Sequence, residues 1–153
     1  MSNYPEPTIG AIIFNPQNKV LLCRSPKWNN TYVIPGGHIE LGERMEEALR
    51  REVKEETGLD VFDIELIGLQ ESIFSDTFTG KKHFIFIDYL CRTHSSNVVL
   101  NDEADAFVWT ALEDVQSYNL GGFTRHFFER YAERQKGKQW KTILYNYVQT
   151  ESQ

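Results

Sequence analysis

Three glutamates stand close together in the run Arg51-Glu52-Val53-Lys54-Glu55-Glu56. On a helix, spacings of three and four residues turn such carboxylates toward one point. A set of oxygen-only ligands presents hard anions, which suits Mg²⁺, with Mn²⁺ as a substitute. No histidine ligand accompanies them, which argues against zinc. Arg51 and Glu55 form an i, i+4 pair in which the guanidinium can orient a carboxylate. Shortly before this run, Gly36 and Gly37 permit tight backbone turns and close approach of a carbonyl or a ligand. The chemistry that joins these features is a divalent cation bridging acidic side chains to an anionic, phosphorylated substrate.

The element that must position these acids is a helix. Residues 43–57 are rich in Glu, Arg, Ala, Leu and Met, and Gly58 sits where a C-cap glycine belongs. At the helical period, Met45, Ala48, Leu49 and Val53 form an apolar stripe, with Arg44, Glu46, Glu47, Arg50 and Lys54 opposite. Glu52 and Glu56 continue the apolar stripe, within about 60° of Leu49, and Glu55 lies on its edge. Burying an unpaired carboxylate costs several kcal/mol, so inward acids need a cation or raised pKa values. The plainer alternative is a helix end that emerges from the core, leaving Glu52 and Glu56 hydrated.

Around that helix the chain alternates strands and turns. Apolar runs at residues 8–14 and 19–24, separated by Asn15-Pro16-Gln17-Asn18, predict a hairpin. Residues 25–30 read as a loop, 32–34 as a short extended piece, and Gly36-Gly37 as a break in regular structure. Extended segments are expected at 61–74, 83–91 and 106–110, and a second amphipathic helix at 123–134. This mixture gives an α+β fold with a mixed sheet. The alternating tail from Trp140 to Val148 suggests an added edge strand. Its apolar residues Trp140, Ile143, Leu144, Tyr145, Tyr147 and Val148 are candidates for a homodimer interface.

With 153 residues the chain fits one domain, 1–153, with a core at about 8–135 and a C-terminal extension at 136–153. A net charge of −6 argues against affinity for a nucleic acid polymer, which depends on Lys and Arg. No apolar run reaches the roughly 20 residues that span a bilayer, and the N-terminus lacks the pattern of a secretory signal. Cys23 and Cys91 lie in apolar strand-like runs and read as reduced, buried thiols, which fits a cytoplasmic chain.

From Gly37 to Leu59 the sequence spells GHIELGERMEEALRREVKEETGL. It resembles the Nudix box, G-x5-E-x7-R-E-U-x-E-E-x-G-U, in which U is aliphatic. Gly37, Glu43, Arg51, Glu52, Val53, Glu55, Glu56, Gly58 and Leu59 fill its fixed positions. The turn Pro35-Gly36-Gly37 and the late strand with Val108-Trp109 also stand in the family's order, although Tyr32 replaces the tryptophan usual before that turn.

The resemblance implies an α/β/α sandwich and magnesium-dependent hydrolysis of a nucleoside diphosphate linked to a moiety X. It assigns Glu52, Glu55, Glu56 and the Gly36 carbonyl to the metal, Arg51 to orientation and Glu43 to support. Glu52 is the first choice as general base, and Glu103, in the acidic loop before Trp109, is its rival. The region from Glu103 to Arg125 is similar to nucleoside triphosphatases of the family, which release a monophosphate and pyrophosphate. There Asn119 is similar to a base-contacting asparagine. Among substrate contacts, Gly37 would allow close approach, Arg24 would meet phosphate or base, and Phe78 would stack on a base. Sugar-nucleotide hydrolysis is the second enzymatic reading. A catalytically silent, nucleotide-sensing domain is the reading of another class.

Overall fold

The computed structural model describes residues 3–75 and 81–139, and the backbone of 143–148. Phe78 and Trp140 lie outside the described residues, as do the side chains of the tail strand.

Strand β1 (Glu6–Phe14) is the axis of the fold. It runs parallel to β6 (His83–Thr93) from Glu6↔Phe84 to Phe14↔Arg92. On its other side lies β4 (Gly36–His38), antiparallel, with Gly10 opposite Gly36. Beyond β6 come β5 (Val61–Ile73) and, at the edge, β8 (Ile143–Val148), parallel to β5. The tail strand expected from alternation is therefore present.

The hairpin expectation holds only at its turn. β1 and β2 (Val20–Ser25) share the single registered pair Phe14↔Val20. The turn is tied by the Asn15 side chain, which accepts from the backbone N–H groups of Gln17 and Lys19. From there β2 diverges and pairs with β3 (Thr31–Val33) and β7 (Ala106–Thr110). Both strands are apolar on both faces, so each can centre its own group of strands. A wedge opens between the two groups.

Gly36 and Gly37 do not break regular structure, as the sequence suggested, but form β4. A Cβ on Gly36 would stand 2.1 Å from the Ile9 carbonyl oxygen, so the bare backbone is what lets β4 lie against β1.

Alternate residues of β1 face opposite cores. Ile9, Ala11 and Ile13 pack with Ala48, Leu49 and Val53 of α1 (Met45–Thr57). Ile12 packs with Phe127, Phe128 and Tyr131 of α2 (Gly122–Gln135). Helices on both faces of a mixed sheet make the α/β/α sandwich, and explain why the central strands are apolar throughout. Helix α1 ends as expected, with Gly58 at φ +74° and its N–H donating to the Lys54 carbonyl. Its buried face begins at Ala48, because Met45 is exposed. Short 3₁₀ turns at Pro26–Trp28 and Leu112–Ser117 complete the described path.

Candidate active site

The packing of α1 brings its C-terminal half against β4 at the mouth of the wedge. There the Gly36 N–H donates to Glu56 Oε2 at 3.0 Å. Arg51 gathers the other acids. Its Nε and Nη2 donate to both oxygens of Glu43, at 2.7 and 3.0 Å, in a forked pair. Nη1 donates to Glu52 Oε1 at 2.9 Å and to Glu55 Oε2 at 3.3 Å, while Nη2 also reaches the His38 carbonyl. Glu43 is placed for this by the turn before α1, where the Glu40 N–H donates to its carboxylate.

Glu55, on the edge of the stripe, is exposed, whereas neither Glu52 nor Glu56 is simply hydrated. Glu52 is largely enclosed, with 15% of its side chain exposed, and Glu56 is half-buried beneath it. Burial, and then the Glu52 charge, push the Glu56 carboxyl up to about 8. Burial also raises Glu52, while the Arg51 hydrogen bond opposes that rise. Arg51 in turn is driven above its usual range by Glu43, and its guanidinium holds Glu43 below the usual carboxylate range. Among the described residues no three acids converge at metal-cage spacing. Arg51 holds two of them and Gly36 the third. The donor set nevertheless suits a hard divalent cation, because burial raises the proton affinity of both Glu52 and Glu56 and the Glu52 charge raises Glu56 further, and a cation relieves both.

Of these acids, Glu56 borders a cavity of about 730 Å³ that fills the wedge. Gly36, Gly37, Glu56 and Glu103 stand at one end, and Trp28, Phe84, Phe86 and Phe123 line the other. Phe86 and Phe123 are stacked, with centroids 4.5 Å apart, and Trp28 meets Phe123 edge-on. Gly37 leaves room for Glu52, since a Cβ there would lie 2.5 Å from the Glu52 Cδ. Glu103 is exposed, 4.0 Å from Lys27 Nζ, and its charge reaches both Glu52 and Glu56.

Other residues singled out from the sequence lie elsewhere. Arg24 is exposed and bound to Asp105 at 2.9 Å, outside the cavity lining. Asn119 is also exposed and outside it; its carbonyl accepts from the Tyr32 N–H. Cys23 and Cys91 are free and buried, as expected, and burial pushes both thiols up to about 12.

Lys27, Lys82, Thr8 and Asp88 line the cavity without having been singled out. The signal for Asp88 was visible, as a carboxylate in the apolar run Phe84-Ile85-Phe86-Ile87-Asp88-Tyr89-Leu90. Lys27 sits beside Pro26 in an unremarkable loop, and nothing in the sequence marked it.

The profile of the NUDIX domain family matches residues 4–131. The chain belongs to this family. A curated Nudix relative, nucleoside triphosphatase NudI of Salmonella schwarzengrund (strain CVM19633), is 37% identical over 101 residues, covering 62% of this chain and 72% of the relative. Among solved structures, the MutT protein of Methanosarcina mazei Go1 superposes with a TM-score of 0.72 at 27% identity, covering 89% of this chain and 99% of the other. The MutT NUDIX hydrolase of Burkholderia pseudomallei gives 0.71 at 26%, covering 83% and 98%. The chain is thus a Nudix hydrolase acting on pyrophosphate bonds, and its Nudix box is the segment that builds the Arg51 cluster. Among the described residues no helix is long and apolar enough to cross a membrane.

Proposed function

We propose that the chain hydrolyses a nucleoside triphosphate to the monophosphate and pyrophosphate, with Mg²⁺ as cofactor. The observation that carries this reading is one cavity that joins unlike linings, the Glu56 carboxylate with Glu103 and the glycines of β4, and the aromatic rings of Trp28, Phe84, Phe86 and Phe123. The likeness to a nucleoside triphosphatase over 101 residues supports the same substrate class.

Glu55, Glu56 and the Gly36 carbonyl would hold the cation, which supplies charge neutralisation on phosphate oxygens and a more acidic water. The chain's own residues do the rest. Glu52 Oε2, the oxygen that Arg51 leaves free, is the candidate to receive the proton of the attacking water, and in that role it leaves the cation to Glu55, Glu56 and the Gly36 carbonyl. Arg51 is a positioning residue that fixes Glu43, Glu52 and Glu55 relative to one another. Lys27 and Lys82, on the cavity wall, attract the polyphosphate. The aromatic chamber excludes water from the base. No covalent intermediate is needed, and both thiols are held protonated by burial.

The test is product analysis on a panel of nucleoside triphosphates and sugar nucleotides, with Mg²⁺ and with excess chelator. Pyrophosphate is expected from a triphosphate, and only with the metal. Sugar phosphate as the sole product would replace this reading, and metal-dependent binding without turnover would leave a sensor.

A further inference from the structure

The far end of the cavity is not purely apolar. Strand register sets Thr8, Phe86 and Gln70 side by side across β1, β6 and β5, and sets Gly10, Asp88 and Gly68 in the next row but one along the same face. Residues paired across strands share a face. That face looks toward α2, where Phe123 covers Phe86. Thr8, Gly10, Phe86, Asp88 and Phe123 all border the cavity.

Asp88 is 2% exposed, and its Oδ2 accepts from Gln70 Nε2 at 2.6 Å. The same amide group donates to the Phe123 carbonyl, which fixes its orientation. Gln70 Oε1 and Thr8 Oγ1 are buried with no hydrogen-bond partner. An unpaired buried polar atom costs about 1–3 kcal/mol, and native interiors hold few of them. Thr8 Oγ1, unpaired near an enclosed carboxyl in a cavity walled by aromatic rings, points to a partner that arrives with the ligand, while Gln70, outside the lining, holds the acid in place. Burial pushes the Asp88 carboxyl up to about 8, against the opposing pull of the Gln70 hydrogen bond and of the Arg130 charge. At neutral pH it therefore offers an O–H donor and a carbonyl acceptor together. Gly36, Gly10 and Asp88 are neighbours on three adjacent strands, so the acid lies two strand spacings, about 10 Å, from the Glu56 end. A nucleoside spans such a gap.

We propose that Asp88 is the specificity-determining group for the nucleobase: held by Gln70 and assisted by Thr8, it pairs with a base edge that carries a donor beside an acceptor, while Phe86, Phe123 and Trp28 enclose the ring. This deepens the nucleotide reading and rests on it for the position of the phosphates.

Binding of phosphate-free nucleosides separates the two claims. Uridine, cytidine, adenosine and guanosine would be titrated into the full chain without metal, by calorimetry. The wild type should bind its preferred nucleoside at least about tenfold more tightly than the poorest. Asp88→Leu should bring the four within about threefold of one another. Asp88→Asn, of nearly the same size, should stay folded and change the order of preference, because its amide cannot move a proton between its two ends. Thr8→Val should weaken the preferred nucleoside by a few-fold. Wild-type preferences and affinities retained in folded Asp88→Asn, or no binding of any nucleoside by the wild type, would overturn the proposal. Asp88-dependent preferences alongside no turnover of any nucleotide would sink the hydrolase reading and leave this one standing.

Discussion

Glu56 is an acid whose surroundings work against its charge. Replacing it with Gln preserves an acceptor for the Gly36 N–H and removes the cost of an enclosed charge. Glu56→Gln should lower turnover by at least about 10²-fold, while Tm, measured without metal, stays level or rises. Near-normal turnover would remove Glu56 from the site. Arg51→Lys keeps the charge but loses the planar fork that grips both oxygens of Glu43. Steady-state kinetics should show kcat down by about 10- to 100-fold with KM little changed; a change confined to KM would mean that Arg51 serves binding instead. At this scale the sequence was informative where chemistry is local. Glu52, Glu55, Glu56 and Arg51 sit within one helix, so their spacing foretells the Arg51–Glu55 contact, although the three acids do not converge on one point. Asp88 and Lys27 depend on neighbours brought from β1, β5 and α1, and spacing along the chain carries no trace of those encounters.

At the scale of elements, Gly36 and Gly37 are adjacent in sequence and do unlike work. Gly36 lies against the backbone of β1, where a Cβ would meet the Ile9 carbonyl oxygen at 2.1 Å and the Gly10 Cα at 2.8 Å. Main chain cannot step aside, so Gly36→Ala should cost more than about 2 kcal/mol in urea unfolding. At Gly37 the added carbon meets the end of the Glu52 side chain, which can swing away. Gly37→Ala should therefore keep its Tm within a few degrees while kcat falls about 10²-fold, because Glu52 is displaced. Equal loss of stability in both variants would contradict the distinction. The sequence marked the helix well, since periodicity, helix formers and a terminal glycine all agree there. It misjudged β4, and it foresaw the pairing of β1 with β2 only at the turn. Strand partners are chosen by which apolar faces remain to be covered, and a tight turn fixes only the first pair.

At the scale of the whole molecule, the enclosed acids make stability depend on pH. Unfolded, Asp88 ionises near 3.8, and in the folded chain near 8. Between those values the folded chain holds the extra proton, so stability is highest at the acidic end and declines as pH rises. Each such group contributes a slope of up to about 1.4 kcal/mol per pH unit, and Glu56, raised from 4.5 to about 8, adds in the same direction. Urea unfolding without metal at several pH values from 5 to 7.5 should show this decline, made shallower by Asp88→Asn. Parallel slopes would show that Asp88 does not titrate there. The sheet itself has a further consequence. Phe14↔Val20 is the single registered pair between the two groups of strands, and the cavity lies in the angle they enclose. The corner is braced on its other side, where the Ala11 N–H donates to the Pro35 carbonyl in the two-residue link from β3 to β4, and Leu21 and Cys23 of β2 share one core with Ile9 and Ala11 of β1. Lys27 and Trp28 follow β2, and the core that packs β2 on α1 ties them to the helix that carries Glu52 and Glu56.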